Sequence, residues 1–339
     1  MNLKELNSVA KATVANGKGI LAADESAPTI KKRFDTIGTQ STEENRRRYR
    51  EMLFTAKGVA DYIGGVILFD ETIRQSTSDG VPFAKYLNDL GMIAGIKVDK
   101  GAKPLAAFPG ETITEGLDGL RDRLKEYYGM GAKFSKWRAV ISIGDGIPTD
   151  FCLRANAHAL ARYAALCQEV GLVPIVEPEV LMDGDHSIGR CAEVTSRTLE
   201  LVFGELAGHR VELEGIVLKP NMVISGSDAS NRAGPEEVAR ATLDVLKAHV
   251  PASVPGIAFL SGGQSAEEAT EHLALMNRMG PLPWELSFSY GRALQAPALE
   301  AWRGQESKFA AGQQALYKRA RLNSLAHLGK YESAMESAA

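Results

Sequence analysis

Ten ionisable residues sit at or just behind the ends of short apolar runs in this 339-residue chain, and their spacing carries the first chemical information. They are Asp24, Asp70 with Glu71, Lys97 with Asp99, Lys136 with Arg138, Glu177 with Glu179, and Lys219. Residues two apart on an extended chain point to the same side, so Lys136 with Arg138, and Glu177 with Glu179, can face one space together. Any one of these groups alone reads as an ordinary surface charge at a strand end. Several lysines, an arginine and several carboxylates converging on one cavity are a different matter, because desolvated charges must pair or shift their pKa values. Catalysis is the usual reason to bear that cost. A lysine beside other cations in a partly desolvated pocket gives up its proton more readily, and the free amine can attack a carbonyl carbon. Of the three lysines, Lys219 precedes Pro220, which biases it to an extended conformation at the end of its run.

Two further runs end in Ser261-Gly262-Gly263 and Ser289-Tyr290-Gly291-Arg292, each followed by a helix-like segment. Glycine lets backbone N–H groups approach an anion, a helix N-terminus adds a favourable dipole, and Arg292 can chelate phosphate oxygens. Plain strand-to-helix turns have the same composition. Metal chemistry finds little support, since the six histidines form no HxH or HExxH grouping. His186, just beyond a strand end, reads as part of a structural loop, and Arg46-Arg47-Arg48 as a solvated or interface helix face.

The elements that must position these groups are legible as eight apolar runs, at 19–24, 65–70, 92–99, 134–143, 172–178, 215–219, 257–262 and 286–291. Amphipathic stretches such as 42–57, 156–170, 189–206, 235–248 and 266–279 alternate with them as βα units should. Eight is the number that closes a parallel barrel, whose strand C-termini share one mouth where catalytic groups gather. A single-domain (β/α)8 barrel over residues 1–330 is therefore the expectation. An open doubly wound sheet would favour a glycine-rich dinucleotide turn, and neither GxGxxG nor a P-loop pattern occurs. Residues 331–339 are small and polar and read as a mobile tail.

Composition sets the outer limits. Hydrophobic residues make up 45% and charged residues 24%, which allows a large core, and the formal net charge of −3 offers no cationic excess for nucleic acid or an anionic membrane. Cys152, Cys167 and Cys191 lack CxxC spacing and read as reduced packing residues. The polar N-terminus lacks a secretory pattern and no stretch reaches the length of a membrane span, so a cytoplasmic location is expected.

With these residues in view, the chain resembles the class I fructose-bisphosphate aldolases, the metal-independent Schiff-base family. The resemblance runs to about Tyr331 through GKGILAADES (17–26), TEENRR (42–47), GGVILF (64–69), GIKVDKG (95–101), AKFSKWR (132–138), VPIVEPE (173–179), LKPNM (218–222), FLSGGQS (259–265) and FSYGRALQ (288–295). It implies that Lys219 forms the Schiff base, that Glu177 is the general acid and base of carbinolamine dehydration, and that Lys136 assists carbinolamine formation. Glu179 would support the charge network, and Asp24 would take the proton from the C4 hydroxyl.

The resemblance further implies a ketone-side phosphate site at Ser261, Gly262, Ser289, Gly291 and Arg292. Ser26, Arg33 and Lys97 would surround the aldehyde-side phosphate, and Arg138 would line the pocket. It implies sugar-phosphate substrates, no cofactor, no metal and a homotetramer. Two departures stand out. Many members end in a tyrosine that helps proton exchange on the enamine, whereas this chain ends Glu336-Ser337-Ala338-Ala339, and beside Ser26 it reads Ala27-Pro28-Thr29. Other readings of the residues are a different Schiff-base sugar-phosphate lyase, and a non-catalytic scaffold on the same fold.

Overall fold

The computed structural model describes residues 2–337. Its strands are β1 Gly19–Ala23, β2 Ile63–Leu68, β3 Ile93–Lys97, β4 Ala102–Pro104, β5 Thr112–Thr114, β6 Phe134–Ile141, β7 Val173–Val180, β8 Val217–Leu218, β9 Gly256–Phe259 and β10 Glu285–Tyr290. Eight of them form a closed parallel barrel in the order β1-β2-β3-β6-β7-β8-β9-β10, with β10 returning to β1. The chain is thus a (β/α)8 barrel, and each of the eight apolar runs supplies one strand. Only β4 and β5 stand apart among the described strands, as an antiparallel hairpin that the sequence reading missed because three-residue strands are too short to show an alternation.

The helices are α1 Leu3–Thr13, α2 Ala27–Asp35, α3 Glu43–Phe54, α4 Asp70–Ile73, α5 Phe83–Asp89, α6 Leu120–Gly129, α7 Asp150–Val170, α8 Ile188–Gly208, α9 Pro235–His249, α10 Ala266–Arg278, α11 Arg292–Trp302 and α12 Phe309–His327. Their starts follow local chemistry. Thr42 caps α3 by accepting from Asn45 N at 3.1 Å, and Ser265 with Glu268 forms a full capping box at α10.

Two cores follow from strand alternation. On β1, Leu21 and Ala23 join the large layer between sheet and helices, while Ile20 and Ala22 join a second cluster inside the barrel. That inner cluster also holds Phe134, Ile175 and Val217, and Leu6, Ala10 and Val14 close it from α1 and its C-cap. Burying each such aliphatic side chain contributes roughly 1.5–3 kcal/mol. Gly95 is required here because a Cβ would overlap the Phe134 ring.

The inward row of β6 therefore runs Phe134, Lys136, Arg138, and that of β7 runs Val173, Ile175, Glu177, Glu179. Both change from apolar to charged toward the strand C-termini, and the register sets Arg138 opposite Glu177. A barrel plugged by α1 at one end is thus polar at the other. All three cysteines are free and buried, and no described helix is long and apolar enough to cross a membrane.

The segment read as a tail makes contacts of its own. Tyr331 is buried, its hydroxyl donates to Glu336 Oε1 at 2.9 Å, and Arg319 Nη1 donates to the same oxygen at 2.5 Å. Residues 338–339 lie outside the described residues.

Candidate active site

A cavity of about 940 Å³ opens at the C-terminal ends of the strands, and all fourteen residues to which the resemblance gives a role line it. Lys219 follows the two-residue strand β8, where its backbone N–H donates to Val176 O at 2.8 Å. Its Nζ lies 3.1 Å from Glu177 Oε1, and both side chains are about 95% buried. The other Glu177 oxygen, Oε2, lies 3.4 Å from Lys136 Nζ, which also reaches Asp24 Oδ2 at 2.7 Å. Four groups from β1, β6, β7 and β8 thus form one chain of alternating charge: Asp24, Lys136, Glu177, Lys219.

The electrostatics of that chain follow from burial set against neighbours. Burial pushes the Asp24 carboxyl up, but Lys136, Lys219 and Lys97 together outweigh it and hold Asp24 well below the usual carboxylate range. Burial pushes Lys136 down, but Asp24, Glu177 and Asp99 outweigh it and hold the ammonium well above its usual value. Lys136 is accordingly a fixed cation and not a lysine of depressed pKa. Beside it, Arg138 Nε donates to Glu179 Oε2, and Lys97 pairs with Asp99 Oδ1 at 2.7 Å. The Asp99 carboxylate, 8% exposed, also accepts from the Gly101 and Arg138 backbone N–H groups.

The two glycine turns flank this chain. Gly262 and Gly263 take left-handed φ angles of +55° and +89°, which turn the backbone after β9, and a Cβ on Gly263 would sit 3.4 Å from Arg292 Nη2. Gly291 is the N-cap of α11, and the Ser289 hydroxyl beside it is buried without a hydrogen-bond partner. An orphaned hydroxyl, free helix N–H groups and an arginine are what an anion would satisfy. Ser26 caps α2 without a side-chain bond to it, its Oγ lying 3.1 Å from Thr29 Oγ1, so the departure at Thr29 keeps a paired hydroxyl.

Not every strand-end charge reaches the mouth. Asp70 and Glu71 begin α4 and turn away, Asp70 accepting from Tyr127 OH at 2.9 Å and Glu71 pairing with Arg46 at 2.6 Å. The other two arginines of that cluster are also paired, Arg47 with Glu44 and Glu51, and Arg48 with Glu306. His158, Glu205 and His209 offer ligand atoms within 4.8 Å of one another, but none of them lines the cavity. Sequence reasoning missed Glu25, Gln295 and Tyr49, which do line it. Glu25 was hidden by its neighbour Asp24, and Gln295 and Tyr49 by lying within helices, where polar residues usually face water.

A barrel with a buried lysine against a buried carboxylate, flanked by two turns able to take an anion, has the groups that the Schiff-base lyases of phosphorylated carbonyl compounds need. The family model described as fructose-bisphosphate aldolase class-I matches residues 5–339. A probable fructose-bisphosphate aldolase class 1 from Xanthomonas campestris pv. campestris is 60% identical over 333 residues, which cover 98% of this chain and 100% of that one. Human fructose-bisphosphate aldolase C is 52% identical over 98% of this chain and 92% of its own. The solved structure of Plasmodium falciparum fructose-bisphosphate aldolase, in ternary complex with TRAP and a small-molecule inhibitor, superposes with a TM-score of 0.96 at 49% identity, covering 98% of this chain and 96% of that one.

The chain belongs to the class I fructose-bisphosphate aldolase family. It reversibly cleaves fructose 1,6-bisphosphate to dihydroxyacetone phosphate and glyceraldehyde 3-phosphate through a lysine Schiff base.

Proposed function

We propose that Lys219 is the Schiff-base lysine, and that Glu177, Lys136 and Asp24 move the protons of the reaction around it. The observation that carries this reading is the 3.1 Å approach of Lys219 Nζ to Glu177 Oε1, deep in the strand-end cavity. Glu177 takes the proton that frees the Lys219 amine, and the amine adds to the C2 carbonyl to give a carbinolamine as the proton on its nitrogen passes to the oxygen formed beside the Lys136 ammonium. Glu177 then protonates the departing hydroxyl, and loss of water leaves an iminium.

The iminium is the electron sink. Asp24 takes the proton from the C4 hydroxyl, the C3–C4 bond breaks, and its electron pair flows to C3 as the enamine forms and the aldehyde product leaves. Protonation at C3 and addition of water return the amine and release the ketone product. Glu179 holds Arg138 against the cavity wall. The orphaned Ser289 hydroxyl supports a ketone-side phosphate site made with Ser261, Gly262, Gly291 and Arg292. Ser26 and Lys97 line the same cavity and would serve the aldehyde-side phosphate, whereas Arg33, which the resemblance placed with them, lies alongside the Gly291 turn.

The reading extends to metal independence, a cytoplasmic location, a homotetramer, no nucleic-acid or membrane partner, and one catalytic domain over residues 1–330 followed by a short tail. A net charge of −3 supports the absence of nucleic-acid binding. The test is to incubate the protein with fructose 1,6-bisphosphate and EDTA, reduce with borohydride, and map the adduct by mass spectrometry. An adduct on Lys219 with EDTA-insensitive cleavage is expected. An adduct on another lysine, or cleavage lost to EDTA, overturns the assignment.

A further inference from the structure

We propose that Glu25 is a positioning residue that aims the Arg33 guanidinium at the Gly291 turn, so that Arg33 meets the phosphate bound there. The proposal rests on the reading of the cavity as the sugar-phosphate site.

Glu25 follows Asp24 behind β1, and its side chain is 5% exposed. Its two oxygens divide between two arginines: Oε1 accepts from Arg33 Nη1, and Oε2 lies 2.5 Å from Arg50 Nη2. Gln295 of α11 donates from Nε2 to Glu25 Oε1 at 2.8 Å and to Ala22 O at 2.6 Å. Gln295 Oε1 in turn accepts from Tyr49 OH at 3.0 Å and from Arg33 Nη1 at 3.4 Å. The carboxylate is therefore fixed to β1, α3 and α11 at once, and a side chain so over-determined has little freedom to follow a ligand.

The geometry says where Arg33 is aimed. A Cβ on Gly291 would sit 3.7 Å from Arg33 Nη2, so the guanidinium lies alongside the turn that starts α11. Arg50 is 3% exposed and Arg33 is 23% exposed, so one arginine is sealed inside and the other faces the cavity. Burial pushes the Glu25 carboxyl up, but Arg50 and Arg33 outweigh it and hold it below the usual range, so it stays ionised. An anion beside a phosphate site would by itself repel the ligand. With two arginines on one carboxylate the unit keeps a net positive charge, and Glu25 supplies direction at little electrostatic cost.

The alternative is that Glu25 merely neutralises Arg50 in the core, and steady-state kinetics separate the two roles. KM and kcat are measured with fructose 1,6-bisphosphate and with fructose 1-phosphate for Glu25→Gln, Arg33→Ala and their combination. Glu25→Gln leaves the buried Arg50 charge uncompensated, so Glu25→Gln with Arg50→Met and the single variant Gln295→Leu are run beside it. For Glu25→Gln, with or without Arg50→Met, KM is expected to rise about tenfold for both substrates with kcat within about threefold. Gln295→Leu should move KM the same way by about threefold. Adding Glu25→Gln to Arg33→Ala should change nothing further, because the one acts through the other.

KM effects of Glu25→Gln and Arg33→Ala that multiply, or an unchanged KM in every folded variant, overturn the proposal. A rise confined to fructose 1,6-bisphosphate would assign Arg33 to the other phosphate and overturn its aim at Gly291. Borohydride trapping on Lys219 in the parent enzyme reports separately on the site reading, which can fail without any of these kinetic outcomes.

Discussion

Lys136 Nζ lies 2.7 Å from Asp24 Oδ2, and this contact joins β6 to β1 across the barrel mouth, two strands that are not neighbours in the sheet. It fixes the charge state of both partners. Replacing Lys136 with Met removes the cation from Asp24 and Glu177 together, so kcat with fructose 1,6-bisphosphate should fall by about 10²-fold or more. Single-turnover cleavage of the preformed Lys219 adduct, compared with its rate of formation, locates the step that is lost. An unchanged kcat would remove Lys136 from the chemistry.

The same pair sets a pH window for stability. The Asp24 pKa is depressed on folding, so its contribution is present above the unfolded value of about 4 and is lost as pH falls toward the folded value. The Lys136 pKa is raised, so its contribution is present below the unfolded value of about 10.4 and is lost as pH rises toward the folded one. Thermal unfolding should therefore show the pair's contribution constant between about pH 5 and pH 9 and shrinking outside it. Lys136→Met should weaken both limbs, and identical acid and alkaline limbs in the two proteins would count against the coupling.

Lys219→Met should abolish borohydride trapping and lower kcat by about 10⁴-fold or more. Glu177 keeps Lys136 as a counter-ion at 3.4 Å, so no carboxylate is stranded and the variant should fold. Matching far- and near-UV circular dichroism would establish that, and a folded variant with near-normal turnover would redirect the search to Lys97 or Lys136.

The segment from Tyr331 onward offers a separation of stability from chemistry. Tyr331 is 2% exposed and none of residues 331–337 lines the cavity. Truncation after Lys330 should cost roughly 2–3 kcal/mol from the lost aromatic burial, read by urea unfolding. The kcat for fructose 1,6-bisphosphate should stay within about twofold. A large fall in kcat would mean that the terminus reaches the site during turnover. Hydrogen exchange across 331–337 in the intact chain measures how far the segment opens.

Much of this molecule is written locally. Period-two alternation in the runs that became β6 and β7 decides which side chains share a face, and that face carries Phe134, Lys136 and Arg138, or Ile175, Glu177 and Glu179. From that alternation, together with the count of eight apolar runs separated by amphipathic stretches, come the barrel, its polar mouth and the group of residues around Lys219. Where local chemistry competes, the pattern misleads. Asp70 and Glu71 end an apolar run as Asp24 does, yet they start a helix and take partners outside the cavity, because carboxylates are favoured in a first helical turn.

What only the tertiary structure decided is pairing across distance. The contact of Lys136 with Asp24 spans more than a hundred residues, and that of Glu25 with Gln295 spans 270. Neither leaves a periodic trace, since a single buried hydrogen bond fixes two positions and says nothing of their neighbours. The sequence by itself determined eight of the strand-end charges that are brought to the mouth, from Asp24 to Lys219. Barrel closure determined which of them touch, because only closure brings β1 round to β10 and sets the strand ends facing one another across a single cavity.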